Sequence, residues 1–396
     1  MKQKYIRHFI FLVFFLFSVQ FLKAEQFSFE GHEEVFVDLP EGIELVQAEE
    51  DASGYLLKST LIPVSWTVKF YKDGRYKNAK NALEESLSKL GCSDIAAEDV
   101  LWRNTNAALG QFRIESKENA PINGWAVAAE LHEEKGIVVF ISWVQEYDSS
   151  PYDPFMLSSL DSLGIDRGSF FESGIVSQYA YPESSREITE KIEIDGKKIE
   201  AVLKDNDEEA AAFLVEREYQ VLQLYAKSAN WKKAWQRYYR MIFRDSFKRL
   251  KKTSFNIYNS LAEYCLDETD LAQKILTWTQ SFKYEREKTS SDFTCLPSVI
   301  IGKGCDCDSR SMLLSVLLQN MGIDSIIFVS AEYSHAIAGL VSSHPGQAIE
   351  CGEKKYLTGE TTAKNCTWGM ISQDQGDFSK WIPVEPPLPL SNEESK

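Results

Sequence analysis

Three residue types that together perform acyl transfer stand in order in the last third of the chain: Cys307, His335 and Glu360. A thiol nucleophile needs a base to share its proton, a group that orients the base, and hydrogen-bond donors for the oxyanion. Cys307 ends the glycine-bearing turn Gly302-Lys-Gly-Cys-Asp-Cys307 and opens an apolar run that continues toward Gly322. A cysteine in the first turn of a helix sits beside unpaired backbone N–H groups and the positive end of the helix dipole, and both favour thiolate. Asp306 and Asp308 oppose that effect, because a neighbouring carboxylate disfavours a second negative charge. The activation expected of Cys307 therefore rests more on His335 than on the helix. His335 follows the strand signal Ile326-Ile-Phe-Val329, and Glu360 ends the strand-like Tyr356-Leu-Thr-Gly-Glu360.

Other chemistries for these residues are weaker. Cys305 and Cys307 form C-x-C with no second pair at finger spacing, which argues against structural zinc, and no D-x-D-x-D-G loop suggests calcium. No cofactor is expected. Either sulfur suits a nucleophile on composition; Cys307 is favoured because the helical run begins at once after it, while Cys305 is still in the turn. Seven cysteines (Cys92, Cys265, Cys295, Cys305, Cys307, Cys351, Cys366) leave at least one thiol unpaired within a monomer, and the bridges considered are Cys295 with Cys305 and Cys351 with Cys366.

Residues 1–24 read as a secretory signal: Lys2, Lys4 and Arg7 precede the apolar stretch Phe9 to Val19, which is too short to span a bilayer, and Ala24 offers a small residue at the cut. The chain is therefore expected to be exported, periplasmic or secreted. At 44% hydrophobic and 26% charged residues over 396 positions it is a folded globular protein of two domains. Its formal charge of -16 excludes nucleic-acid binding driven by bulk electrostatics.

The elements that must position the three residues follow a change of period along the chain. From 25 to 166 an α+β domain is expected. Its strands are Glu34 to Asp38, Gly54 to Lys58, Val64 to Phe70, Ala107 to Ile114, Trp125 to Leu131 and Ile137 to Val144. A helix carries Ala79, Ala82, Leu83, Ser86, Leu87 and Leu90 on one face before Gly91, and a second runs from Pro154 to Leu163. No catalytic constellation stands in this domain; His32 and His132 are each flanked by paired acids, the context of a solvated turn. Residues 167–255 read as a connector, with a hairpin from Lys191 to Leu203 around Asp195-Gly196, then helices Asp207 to Lys227 and Trp231 to Lys252. The second helix carries Trp235, Tyr239, Ile242 and Phe243 on one side and Arg237, Arg240, Arg244, Lys248 and Lys251 on the other. That basic stripe reads in two ways: as a docking face for an acidic partner or anionic surface, or as a solvated face paired with the chain's own carboxylates. A unit from 256 to 381 holds Cys307, His335 and Glu360. After it, 382–396 reads as a Pro-rich acidic tail in extended or irregular form.

Four ordered motifs, Gln280-Ser-Phe-Lys-Tyr284, Lys303-Gly-Cys-Asp-Cys-Asp-Ser-Arg-Ser-Met-Leu-Leu314, Ser334-His-Ala336 and Tyr356-Leu-Thr-Gly-Glu-Thr-Thr362, resemble the transglutaminase-like superfamily. The match covers about 256–368, roughly a third of the chain. The resemblance implies a papain-like fold with Cys307, His335 and Glu360 at the Cys-His-Asp triad positions and Gln280 as a donor to the oxyanion hole, its companion being the backbone N–H of Cys307. It implies a cysteine peptidase or amidase acting on a protein or peptide, with amine-transferring cross-linkers and inactive binders in the same superfamily. Three departures bear on substrate class: Glu360 is one methylene longer than the usual Asp, Ile337 stands where many members carry tryptophan, and Ser311 where alanine is common. At the level of architecture alone, the N-terminal domain resembles PsbP-like sandwich domains. The fold expected for the whole chain is α+β: an antiparallel sheet/helix sandwich, a helical connector and a papain-like core.

Overall fold

The computed structural model describes residues 26–92, 94–132, 136–286 and 291–386. The expected leader, 1–24, and the tail from Pro387 lie outside them. A short hairpin opens the chain, β1 (Gln26–Phe29) with β2 (His32–Asp38). Seven strands follow: β3 (Ile43–Ala48), β4 (Gly54–Ser59), β5 (Val64–Tyr71), then, after helix α1 (Ala79–Lys89), β6 (Asp94–Trp102), β7 (Thr105–Ile114), β8 (Ile122–Leu131) and β9 (Gly136–Gln145). They form one antiparallel sheet in the order β3-β4-β5-β9-β8-β7-β6. Ala126 and Ala128 face α1 through Leu83 and Leu87, while Val127 and Ala129 face the opposite core with Trp66 and Phe140. With both faces of the sheet covered, the central strands read as nearly continuous apolar runs rather than clean alternation.

Helix α2 (Asp153–Asp161) covers the second face through Phe155, Met156 and Leu160, and α3 (Ile175–Ala180) follows. The hairpin β10 (Glu187–Ile194) with β11 (Lys197–Lys204) turns at Asp195 and Gly196, both at positive φ, as its two-residue connection requires. Helices α4 (Asp207–Gln223) and α5 (Trp231–Leu261) come next. Helix α5 runs well past Lys252, where the sequence suggests a break and a new unit. No glycine or proline interrupts it, and its small polar residues bond without breaking it: Ser254 Oγ donates to Leu250 O at 2.9 Å, and Thr253 Oγ1 to Val202 O at 2.9 Å.

The remaining elements are α6 (Glu268–Gln280), α7 (Leu296–Ile300), α8 (Cys307–Asn320), β12 (Ser325–Ser330), β13 (His335–Val341), β14 (Ala348–Cys351), β15 (Lys354–Gly359) and β16 (Ile382–Val384). The five strands make a second antiparallel sheet, β14-β15-β13-β12-β16. Helix α8 packs on β12 and β13 and is buried along nearly its whole length from Cys307 to Leu318. The tail expected from 382 onward begins instead as edge strand β16, where Val384 pairs with Ile327 and Ile382 with Val329. Pro383 is accommodated because an edge strand leaves one row of hydrogen-bonding positions unused.

The basic stripe on α5 is corrected. Arg237, Arg240 and Arg244 are buried, so they present no face to an outside partner. Arg240 grips Asp38 at 2.9 and 3.0 Å, Arg237 bonds Glu218 and Asp38 O, and Arg244 donates to the carbonyls of Asp161, Leu163 and Glu172. These contacts join α5 to the N-terminal sandwich. Lys248 and Lys251 are exposed, and Lys248 pairs with Glu172 and Glu183. The two bridges considered are corrected as well, since none of the seven cysteines forms a disulfide. No helix among the described residues is long and apolar enough to cross a membrane.

Candidate functional site

Cys307 occupies the first position of α8 because Asp306 caps the helix. Asp306 is extended, with φ of -87° and ψ of -173°, and its carboxylate accepts from Ser309 N at 2.9 Å and Ser309 Oγ at 2.5 Å. The chain entering the helix is held from the side: Cys305 N donates to Lys283 O at 3.1 Å and Glu285 N to Cys305 O at 3.2 Å, a one-rung parallel bridge between Tyr284 and Cys305. His335 begins β13 directly after Ser334, a non-glycine residue at φ +48° that turns the chain out of β12. The Ala336 N–H lies close enough to the Cys307 sulfur to favour its negative form. Imidazole and thiol therefore spring from adjoining backbone positions.

Glu360 is the residue after β15. The preceding Gly359 is required there, since a Cβ on it would stand 2.3 Å from the Trp368 ring. Glu360 Oε2 meets His335 Nε2 at 2.7 Å, and Oε1 accepts from Thr362 N and Thr362 Oγ1, both at 2.6 Å. Burial opposes ionisation of this carboxyl, but His335 and Thr362 outweigh it and hold its pKa down to about 2. A carboxylate on Nε2 fixes that nitrogen as the protonated one and leaves Nδ1 as the basic nitrogen. The edge of Trp381 closes over the ring, centroid to centroid 6.2 Å.

Cys307 is 4% exposed, and its thiol donates to Asp308 Oδ1 at 3.2 Å. Burial first, then the Asp308 and Asp306 carboxylates, push its pKa well above the ordinary thiol range. Asp306 is pushed up to about 7, by burial and then by Asp308. Asp308 also lies in the field of His335 and accepts the Tyr239 hydroxyl from α5. Cys307 is thus a neutral thiol facing the Asp308 carboxyl, whose own pKa burial raises. The sequence identifies Asp308 as an opposing charge; Tyr239, 69 positions away, carries no sequence signal that links it to this site.

Gln280 is buried at the end of α6. Its Nε2 donates to Glu360 O at 2.8 Å and Cys366 O at 3.0 Å, so both amide hydrogens are engaged by main-chain carbonyls. In this arrangement Gln280, given the oxyanion role by resemblance, tethers the Glu360 segment. Ser311, at the position where alanine is common, pairs its hydroxyl with that of Thr361 at 3.2 Å. Among the described residues the other histidines stand apart. His32 stacks on Phe70 at 3.8 Å, His132 meets the Thr105 hydroxyl, and His344 meets Asp267 at 2.8 Å. Among the described residues no group of three or more His, Cys, Asp or Glu is arranged to hold a metal ion. A cleft of about 800 Å³ between β6, β11 and α5 includes none of Cys307, His335 and Glu360. Its charged groups are largely paired with one another.

No family model matches the chain, and no curated protein matches its sequence. Among solved structures, the chain is similar to cyanobacterial PsbP (CyanoP) from Synechocystis sp. PCC 6803, at 9% identity over 37% of this chain and 95% of that one, with a TM-score of 0.30. It is also similar to the Ran-binding protein Mog1p of Saccharomyces cerevisiae, at 11% identity over 36% of this chain and 95% of that one, with a TM-score of 0.28. A Bacteroides thetaiotaomicron protein is similar at 8% identity over 79% of this chain and 84% of that one, with a TM-score of 0.23. The transglutaminase-like resemblance rests on the residues alone.

Proposed function

We propose that this chain is an exported thiol-dependent acyl-transfer enzyme, a cysteine peptidase or amidase whose 256–381 unit is a transglutaminase-like, papain-like core. The observation that carries this reading is the 2.7 Å contact between His335 Nε2 and Glu360 Oε2 beside the helix start that bears Cys307. In the reaction, His335 Nδ1 takes the Cys307 proton as the sulfur attacks a substrate carbonyl. The imidazolium then protonates the departing amine, leaving a thioester. Water, activated by the same nitrogen, releases the acid. Glu360 stays ionised throughout and stabilises the imidazolium. The Cys307 backbone N–H, free of an intrahelical partner at the first helical position, is the natural oxyanion donor. Water is the default acceptor, and no feature specifies an amine site, so hydrolysis is favoured over cross-linking. The competing reading is a non-catalytic binding protein, in which the thiol stays fixed on Asp308.

The test is alkylation of the purified protein with iodoacetamide, site-resolved by mass, in wild type, Cys307→Ala and His335→Ala. His335→Ala is expected to slow labelling of Cys307 at pH 7 by about tenfold or more, on the order of what a positioned base contributes. A rate unmoved by His335→Ala overturns the enzyme reading and leaves the binding one.

A further inference from the structure

Tyr284 is a large, 51% exposed ring whose backbone is fixed to Cys305, two residues before the nucleophile. Its phenol is close enough to Cys307, Asp306 and Asp308 to feel their charges, which together with burial raise its pKa. The nearby carboxylates are already engaged: Asp306 by Ser309, Asp308 by Tyr239 and Cys307, Asp292 by Arg286 at 2.6 Å. Of the Tyr284 ring and these carboxylates the ring is the exposed one, so the surface left to meet a substrate is the ring rather than an open acidic cluster.

One face of that ring is occupied. The Arg310 guanidinium carbon stands 5.4 Å from the ring centroid, and Arg310 is itself buried and donates to Phe282 O at 2.8 Å and Thr361 O at 3.3 Å. A cation on one face draws the ring's electron density toward it. A second cation on the opposite face would be repelled by the first, whereas a neutral aromatic group still gains from stacking and from loss of apolar surface.

We propose that Tyr284 sets the specificity of the Cys307 site, and that it selects an acyl group bearing a neutral aromatic side chain beside the carbonyl under attack. This deepens the acyl-transfer reading and rests on it. It assigns Tyr284 to substrate recognition, not to the chemical step.

The experiment uses the full chain and three peptidyl acyloxymethyl ketones that differ only in the residue beside the ketone: phenylalanine, alanine or lysine. Labelling of Cys307 is followed by intact mass. Wild type is expected to react about tenfold faster with the phenylalanine probe than with either other probe, the order of one aromatic stacking contact. Tyr284→Phe keeps the preference. Tyr284→Ala and Tyr284→Leu bring the ratios close to one, while the circular dichroism and melting temperature of every variant match wild type, which shows that the fold is intact. Tyr284→Leu retains bulk and guards against a folding defect in the alanine variant. A wild-type ratio near one, a faster lysine probe, or a preference that survives Tyr284→Leu overturns the assignment. If Cys307 is labelled by no ketone and its iodoacetamide rate ignores His335, both this assignment and the enzyme reading fall. If it is labelled without preference, only the role of Tyr284 does.

Discussion

Replacing Asp308 by asparagine should make Cys307 more reactive, although it removes a group in contact with the nucleophile. The carboxylate oxygen lies 3.2 Å from the sulfur. Two unit charges at that distance repel by about 1 kcal/mol in water and about 5 kcal/mol at an effective dielectric of ~20. One pKa unit corresponds to about 1.4 kcal/mol, so the thiol pKa should fall by roughly 1 to 4 units. Burial, the largest contribution to the raised value, stays in place, as does Asp306. At pH 7 the thiolate fraction would rise by the full factor, but intrinsic nucleophilicity falls with pKa by about half as much on a logarithmic scale. The net gain in alkylation rate is therefore about 3-fold to 100-fold. Asparagine has the same shape and keeps one oxygen, which can accept from the Tyr239 hydroxyl now on Oδ2, while its amide takes the place of the Oδ1 that faces the sulfur. The assay is iodoacetamide labelling of Cys307 from pH 6 to 10, which returns both the rate and its titration midpoint. An unchanged midpoint, or a slower rate at every pH, would refute the claim that Asp308 holds Cys307 in its protonated form.

Three further outcomes follow from the same contacts. Glu360→Gln should lower acyl transfer by about 100-fold or more by removing the charge that stabilises the imidazolium. The Glu360 pKa is depressed, so its contribution to stability is present above about pH 4.5 and lost as pH falls toward 2; urea unfolding should find wild type ahead of the variant at pH 6 by on the order of 2 kcal/mol and level with it near pH 2. Asp306→Asn retains the helix cap but not the buried charge. The Asp306 pKa is raised to about 7, so the protonated carboxyl is favoured in the fold and ionisation costs stability as pH rises; the variant should melt higher than wild type at pH 8 and with it at pH 4. Arg240→Met should destabilise the chain by about 3–5 kcal/mol in chemical denaturation, because Asp38 is left as a buried anion with a weaker partner. The pair Asp38→Asn with Arg240→Met should recover part of that loss, and no recovery would count against the pairing as the cause.

What could be read in the sequence was what local pattern encodes. Cys307, His335 and Glu360 each sit where a regular element meets a turn, and their order with the intervening strands made them visible as a set. The central strands of the N-terminal sheet announced themselves by branched and aromatic residues. Edge strand β3 did not, because its residues from Glu44 to Ala48 are exposed and lack alternation. Strand β16 hid behind Pro383. The arginines of α5 were legible as a stripe, but their burial depends on Asp38 and Glu218, the former some 200 positions away. Neither partner can be inferred from helical spacing. Gln280 illustrates the same limit: the resemblance suggests its position in the site, while the carbonyls that engage its amide belong to a segment whose course only the fold reveals.

The two halves of the site are set against each other. Glu360 is ionised and holds His335 by Nε2, while burial and Asp308 keep the proton on Cys307. The thiolate is not without support: the Ala336 N–H and the start of α8 both favour negative sulfur, so the barrier lies chiefly in burial and in the Asp308 contact. Helix α5 ties this balance to the rest of the molecule. Tyr239 gives its hydroxyl to Asp308, and the next residue, Arg240, grips Asp38 in the N-terminal sandwich. Consecutive residues of one helix thus hold the acid that restrains the nucleophile and the acid that docks the other domain. Asp308 has its phenol partner only while α5 keeps that seat, so the N-terminal domain contributes to the setting of the site without adding a residue to it.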